Sequence, residues 1–518
     1  MRFILSADLR PPPTPLTKMG CTPKMVQNFL EIVCGHAERI LRSRNMPSSG
    51  SLNTSFGGLF NGKRILWQTF FGSYAVGLDH LLPIEFITCL DDGSDYDLVR
   101  EECAVRLCSV EETLARRINW IGSGIQHIFE QRRAAIETEL RRHPKGSWLL
   151  TSSPPCALME AFCDNGGYRM VGTPARMVEQ FKHKTRLFEA LGALQLPRLP
   201  GRWLRLVEAR YEDLASEVGS SFVVQRALGA AGSGTALVRS DADWRSLDGG
   251  FASGDVWAAP YLGELSFNVN AAVCAGQVCV GFPSVQLAGF AELGAPWGGY
   301  CGNDYSATAE IHRDIVEDVQ LQTERVGAWL HSCGFDGIYG LDFVLDPASG
   351  RAYAVDLNPR WQGSTSLSVQ AEYAAGRLPL AVAVFAAQSG VLGPGDIRAL
   401  RDEFRKPVLG AQLNLRARLR DAATATRSVR PGAYPRNAQP ACRRPCVRLS
   451  DLSDSEEYLV TGGVPRRGVV VEPGAWLSRI MTWGPAVRPE SMALLPWAQE
   501  AARHLHAAFG FASLPPTP

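Results

Sequence analysis

Between residues 55 and 175, short apolar runs rich in β-branched and aromatic side chains alternate with helical stretches, and no other feature constrains the fold as much. The runs 64–70 (RILWQTF), 83–90 (PIEFITCL) and 147–151 (SWLLT) read as strands, 155–163 as a helix and 168–171 as a further strand. Helices between short apolar strands bring each strand back in the same direction, so an open parallel α/β sheet is expected.

Composition narrows the class of protein. A chain of 518 residues has room for several lobes at roughly 100–200 residues each. Its 53 Lys plus Arg against 52 Asp plus Glu leave a formal charge of +1, which gives no chain-wide drive toward nucleic acid or an anionic membrane. A hydrophobic content of 46% is that of a globular protein. No run of about 18 apolar residues appears, so no membrane span is expected. The apolar stretch before Pro11 is too short for a good secretory signal. The 13 cysteines include no Cys-x-x-Cys pair, so reduced thiols in a cytoplasmic protein are expected, with neither a zinc site nor a disulfide framework.

Residues 1–50 form a Pro-rich N-terminal extension, and the α/β segment follows over 51–175. The stretch 176–194 reads as one long helix ended by Pro197 and Pro200, and 207–218 as another helix. Runs 221–225 (SFVVQ) and 235–239 (TALVR) flank a glycine loop as a hairpin. Further strands fall in 256–288, a helix in 310–333, and a second hairpin in 338–346 and 352–357. Residues 391–518 are Arg-rich, punctuated by Pro and Gly, and end in a helix near 495–509. There is no repeat of fixed period.

Two segments carry chemistry. The glycine loop contains Gly229, Gly232, Ser233, Gly234 and Thr235. No Lys-Ser/Thr follows it and a strand comes next, so it is neither a P-loop nor a dinucleotide fingerprint; a glycine hairpin can still lay backbone N–H groups over phosphates. The second segment is stronger: Asp342, Asp356, Asn358 and Arg360 in the pattern Asp-x13-Asp-x-Asn-x-Arg. Strand alternation puts Asp356, Asn358 and Arg360 on one face if extension continues through Pro359. Two carboxylates and an amide oxygen suit Mg²⁺, with Mn²⁺ as the alternative. An arginine beside them can neutralise charge on a transferring phosphoryl group.

In this order the residues resemble the ATP-grasp ligases over roughly 148–390. The segment 172–184 resembles the entry to the first nucleotide-binding lysine, Lys184. Gln225 stands where a second lysine is usual. The loop 229–235 resembles the one that closes over phosphates, and 259–262 the hinge that binds adenine through Pro260 and Leu262, with Glu264 a weak substitute for the usual ribose contact. The resemblance implies an α/β pre-ATP-grasp domain over 51–175, two α+β lobes clasping ATP over 176–262 and 263–390, and an extra C-terminal region over 391–518. It implies ATP and Mg²⁺ as cofactors, Asp342, Asp356 and Asn358 as metal ligands, and Arg360 as the catalytic cation. The implied reaction joins a small-molecule carboxylate to an amine through an acyl phosphate, releasing ADP and phosphate. The unusual C-terminal region points toward specialised metabolism of an amino acid or small peptide.

Asp304, in the run Gly302-Asn303-Asp304-Tyr305, is a candidate for a substrate amino group, and Ser364 for the acyl phosphate; both residues equally suit helix capping. A homodimer is left open. The competing readings are an ATP-grasp carboxylase or phosphotransferase, and a catalytically decayed nucleotide-binding regulator, which Gln225 and Ala259 would favour.

Overall fold

The computed structural model of the chain describes residues 58–118, 124–229, 232, 234–247, 249–252, 254–436 and 441–514; the 1–50 extension and Ser233 lie outside them. The N-terminal α/β segment is a five-stranded parallel sheet in the order Arg106–Ser109, Ile84–Cys89, Arg64–Thr69, Trp148–Ser153, Arg169–Met170. Its central strand is buried on both faces. Ile65 and Trp67 pack with Val382 and Phe385 on one side, while Leu66 packs with Ile128 and Phe129 on the other. The open parallel sheet expected from the apolar runs is therefore present.

A four-stranded antiparallel sheet follows, ordered Arg202–Arg205, Asp255–Pro260, Phe222–Arg226, Thr235–Val238. The stretch expected as one helix over 176–194 is two helices, Ala175–Phe181 and Lys184–Ala193. Between them His183 is extended (φ −80°, ψ 122°), and the Lys184 N–H donates to the Ala227 carbonyl at 3.0 Å. The break turns Lys184 inward, where it is buried, whereas Lys182 stays exposed beside Glu179.

The largest sheet has ten strands. Its path runs Arg351–Asn358, Gly337–Asp346, Ser266–Cys274, Ser284–Ala288, Tyr300–Asp304, Ala411–Arg416, Trp476–Thr482, Glu457–Thr461, Gly432–Pro435, and Gln277–Val280 pairs with Ser266–Cys274 off that path. Four strands from the C-terminal region thus extend the sheet of the preceding lobe. Gly302 is the close point of that junction: its φ is +132°, and a Cβ there would stand 1.9 Å from the Gln412 carbonyl oxygen.

The C-terminal region is also tied to the N-terminal domain. The Asp95 carboxylate accepts from the N–H groups of Gly462, Gly463 and Val464 at 2.8–3.0 Å. Buried Arg117 pairs with Glu111 at 2.6 Å and donates to the carbonyls of Gly463 and Trp476 at 2.6 and 2.8 Å. A short strand, Arg116–Arg117, adds parallel to Val470–Val471. All three parts of the chain therefore meet around one cleft.

Candidate functional site

The hairpin of Gly337–Asp346 and Arg351–Asn358 is the base of the site. Asp342 and Asp356 are direct cross-strand partners, so they share a face, and Asn358, two residues on, shares it too. The ladder then shifts, with Phe343 opposite Ala354, which leaves Val355 as a bulge. A bulge adds local twist and re-aims the neighbouring side chain. Gly340 faces Asn358 across the ladder, and a Cβ at Gly340 would fall 1.6 Å from Gln362 Nε2. The glycine leaves the space that Gln362 fills.

Two adjacent carboxylates require positive charge. Lys184 Nζ supplies it in an ion pair with Asp356. Burial, and after it the neighbouring Asp356 charge, push the Asp342 carboxyl above its ordinary value, while a hydrogen bond from Asn268 Nδ2 at 2.5 Å to Asp342 Oδ1 opposes the rise. Arg360 donates to Asn358 Oδ1 and to the Trp361 carbonyl, both at 3.0 Å, which holds the guanidinium beside the carboxylates.

The donor set fits a hard divalent cation. No group of three or more His, Cys, Asp or Glu side chains converges among the described residues, so the set is two carboxylates and the Asn358 amide, whose Oδ1 now accepts from Arg360 and whose Nδ2 donates to Asp342 Oδ2 at 3.4 Å. Mg²⁺ is typically held by one or two carboxylates and completes its shell with water and phosphate oxygens. The Lys184 ammonium on Asp356 shows that this face attracts a cation.

Above the hairpin lies a cleft of about 420 Å³. Of the residues singled out from the sequence, Lys184, Gln225, Gly229, Gly232, Gly234, Thr235, Asp342, Asp356, Asn358, Arg360 and Ser364 line it. Gly232 reaches the opposite wall. Gly232 has φ +85°, and a Cβ there would stand 2.1 Å from the Gly298 carbonyl oxygen, so a side chain at this point would hold the loop off.

Four candidates lie elsewhere. Pro260 ends its strand opposite Phe222, and neither it nor Leu262 lines the cleft. Glu264 is exposed and accepts from the Tyr261 hydroxyl and from Trp297 Nε1 at 3.2 Å. Asp304 is fully buried, which corrects its reading as a ligand for a substrate amine. Its Oδ1 caps the Tyr305–Thr308 turn by accepting from the Ala307 N–H at 2.8 Å, and its Oδ2 accepts from Ala486 and Val487 at 2.7 and 3.2 Å. Ser364 lines the cleft but is fixed in a network, donating to Asn268 Oδ1 at 2.6 Å and accepting from Asn270 Nδ2 at 3.0 Å.

A pH test follows from Asp304. Burial pushes its carboxyl up to about 6, so the folded state takes up its proton more readily than the unfolded chain. Its contribution to stability is therefore greatest in acid and declines as pH rises from about 4 through 6. Asp304→Asn should flatten that part of the stability–pH curve and cost about 1–3 kcal/mol at pH 7 through the N–H groups left unsatisfied. Nucleotide affinity should not change. Urea unfolding at several pH values, with nucleotide titration, checks both.

Asn268, Gln286, Tyr300 and Asn303 also line the cleft and were not picked out from the sequence. One signal was available: in SFNVN the two asparagines sit two apart in an otherwise apolar strand, the mark of a polar face directed at something.

No known family's sequence profile matches the chain, and no curated protein is similar to it in sequence. Solved structures are similar in fold. A biotin carboxylase from Campylobacter jejuni, solved with a β,γ-ATP ligand, superposes at TM-score 0.55 with 12% identity over 87% of this chain and 92% of its own. The biotin carboxylase domain of Hydrogenobacter thermophilus 2-oxoglutarate carboxylase, solved with MgADP and bicarbonate, superposes at 0.54 with 12% identity over 87% and 90%. An N5-carboxyaminoimidazole synthase from Aspergillus clavatus, in complex with ADP and 5-aminoimidazole ribonucleotide, gives 0.50 with 12% identity over 86% and 100%. Agreement over most of each chain at so low an identity is a likeness of architecture, and the architecture this chain shares is the ATP-grasp fold.

Proposed function

We propose that the chain is an ATP-dependent carboxylate–amine ligase that activates an acid as its acyl phosphate, acts on an amino acid or small peptide in specialised metabolism, and releases ADP and phosphate. The observation that carries this reading is the convergence of Lys184, Asp342, Asp356, Asn358, Arg360 and the glycine loop in one cleft of an ATP-grasp fold. Bound ATP and Mg²⁺ supply the transferable phosphoryl group and much of the charge that screens its oxygens. A carboxylate is a poor electrophile until one of its oxygens becomes a good leaving group, which is what phosphorylation provides. Lys184 and Arg360 lower the repulsion between the acid and the phosphate oxygens, and the two aspartates with Asn358 would hold the metal. Gly232, packed against Gly298, narrows the cleft mouth and helps keep out water, which would otherwise hydrolyse the activated acid.

The test is release of ADP and phosphate with a panel of amino acids and carboxylic acids; production of AMP overturns the chemistry. A second reading makes bicarbonate the acid that is phosphorylated. It is favoured by the likeness to a carboxylase domain solved with MgADP and bicarbonate. Bicarbonate-dependent ADP release without an organic acid would select it.

Gln225 lines the cleft at the usual position of a second phosphate-binding lysine. Gln225→Lys should therefore tighten ATP binding by about 3- to 5-fold, the worth of one added cation at a half-buried site. Calorimetric titration with an ATP analogue and Mg²⁺ reads this directly.

A further inference from the structure

The residues that line the cleft divide by character. Among the described residues four of them carry charge, Lys184, Asp342, Asp356 and Arg360, and all four meet at the metal hairpin. Six others are aromatic: Phe70, Phe71, Tyr74, Tyr300, Trp361 and Trp476. Five of the rings form a continuous wall. Phe71 stacks on Trp476 at 4.6 Å between ring centroids and lies 6.5 Å from Phe70 and 5.4 Å from Tyr74, which is 6.0 Å from Trp361. Arg479 lies over Phe71, Tyr74 and Trp476 but does not line the cleft, so its guanidinium backs the wall and leaves the lining uncharged. The Tyr300 hydroxyl is already held, donating to Asn303 Oδ1 at 2.6 Å and accepting from Gln412 Nε2 at 3.0 Å.

The wall stands where an open parallel sheet binds its ligands. Phe70 and Phe71 follow the strand Arg64–Thr69, and Pro154 follows its neighbour Trp148–Ser153. The sheet order reverses between these two strands: the strands next in sequence after Arg64–Thr69 add on one side of it, and Trp148–Ser153 adds on the other. Ligands of such sheets sit outside the carboxyl ends of the strands at that reversal. The wall also reaches the reacting end of the cleft. Trp361 follows Arg360 and accepts from its Nη1 through the backbone carbonyl at 3.0 Å, and the Arg360 charge reaches the Tyr74 hydroxyl. A carboxylate drawn to Arg360 therefore has rings, not charges, beside its own body.

We propose that the acid activated in this cleft carries an aromatic ring, which rests against the wall of Phe70, Phe71, Tyr74, Trp361 and Trp476 while its carboxylate meets Arg360. Aromatic rings attract one another beyond the area they bury when their centroids stand about 4.5–7 Å apart. A charged side chain in the same place would lose its water and gain no partner, so acidic and basic amino acids are poor substrates. A side chain as small as a methyl group would leave the wall wet. This inference rests on the ligase reading and names its substrate class.

The test uses the full chain with ATP and Mg²⁺, and hydroxylamine in place of the amine. Its nitrogen attacks the acyl carbon, phosphate leaves, and a hydroxamate forms from whichever acid has been activated. L-Phenylalanine, L-tryptophan and 3-phenylpropionate are compared with L-alanine, L-glutamate and propionate. At least one ring-bearing acid should exceed its counterpart without the ring by about 10- to 100-fold in kcat/KM, the worth of burying one phenyl side chain. Phe70→Ala should lower that ratio by about 3- to 10-fold, the worth of one aromatic pair. The ratio is read within one protein, so a loss of folded variant cancels, and the wild-type comparison needs no variant. Alanine, glutamate or propionate reacting as fast as the ring-bearing acids overturns the proposal. So does a Phe70→Ala protein that keeps the ratio and binds an ATP analogue more weakly, which would give the wall to adenine, or one that keeps both. Hydroxamate from none of the acids overturns the ligase reading itself, and this inference with it.

Discussion

Asp356→Asn is expected to lower ADP release by about 100- to 1000-fold at saturating ATP, the range seen when one preorganised transition-state contact is removed. The effect has two sources. Asp342 and Asp356 are the two carboxylates of the hairpin that line the cleft, so losing the Asp356 charge removes half of the anionic donor set. It is also the partner of buried Lys184, and without it the lysine charge is left in a poorly solvated position. Two measurements separate these sources. Titration with Mn²⁺ in the presence of nucleotide should show weaker metal binding in Asp356→Asn than in Lys184→Met, whereas both variants should weaken nucleotide binding. Unaltered metal-dependent nucleotide binding in Asp356→Asn would remove the hairpin from the site.

Gly302→Ala is expected to be the most damaging small substitution for stability, at about 3–5 kcal/mol. The added methyl group meets the Gln412 backbone oxygen at 1.9 Å, and neither strand can retreat, because each is hydrogen-bonded on both sides. The φ of +132° adds strain for any residue with a Cβ. Gly350→Ala serves as the control. It also has positive φ (+68°) but has open space around it, so it should cost only about 1–2 kcal/mol. Equal losses in denaturant unfolding of the two variants would mean that the steric contact at the sheet junction carries no weight.

The local parts of the molecule were legible in its sequence, and the reason is geometric. The hairpin bearing Asp342, Asp356 and Asn358 follows from alternation in two strands joined by a short turn, and the parallel sheet follows from apolar runs separated by helices. The bulge at Val355 left no such trace, and the break at Lys182 and His183 was hidden because helical periodicity continues through it. Asp304 misled because an aspartate that caps a buried turn has the same sequence appearance as one that binds a ligand. The pairing of Tyr300–Asp304 with Ala411–Arg416, and of that strand with Trp476–Thr482, was out of reach for a different cause. Strands so far apart in the chain find their register through tertiary packing, which no local pattern records.

The continuity of the large sheet has a consequence for how the protein is made. Tyr300–Asp304 is an interior strand only once Ala411–Arg416 lies beside it, and that strand in turn waits for Trp476–Thr482. On the ribosome, therefore, the lobe with the metal hairpin emerges with an open β-edge that stays exposed while the remaining chain is synthesised. Such an edge pairs readily with other nascent chains. A product terminated or clipped before residue 411 would keep its aspartates and yet present that edge permanently, so it should accumulate as aggregate and not as a smaller working protein.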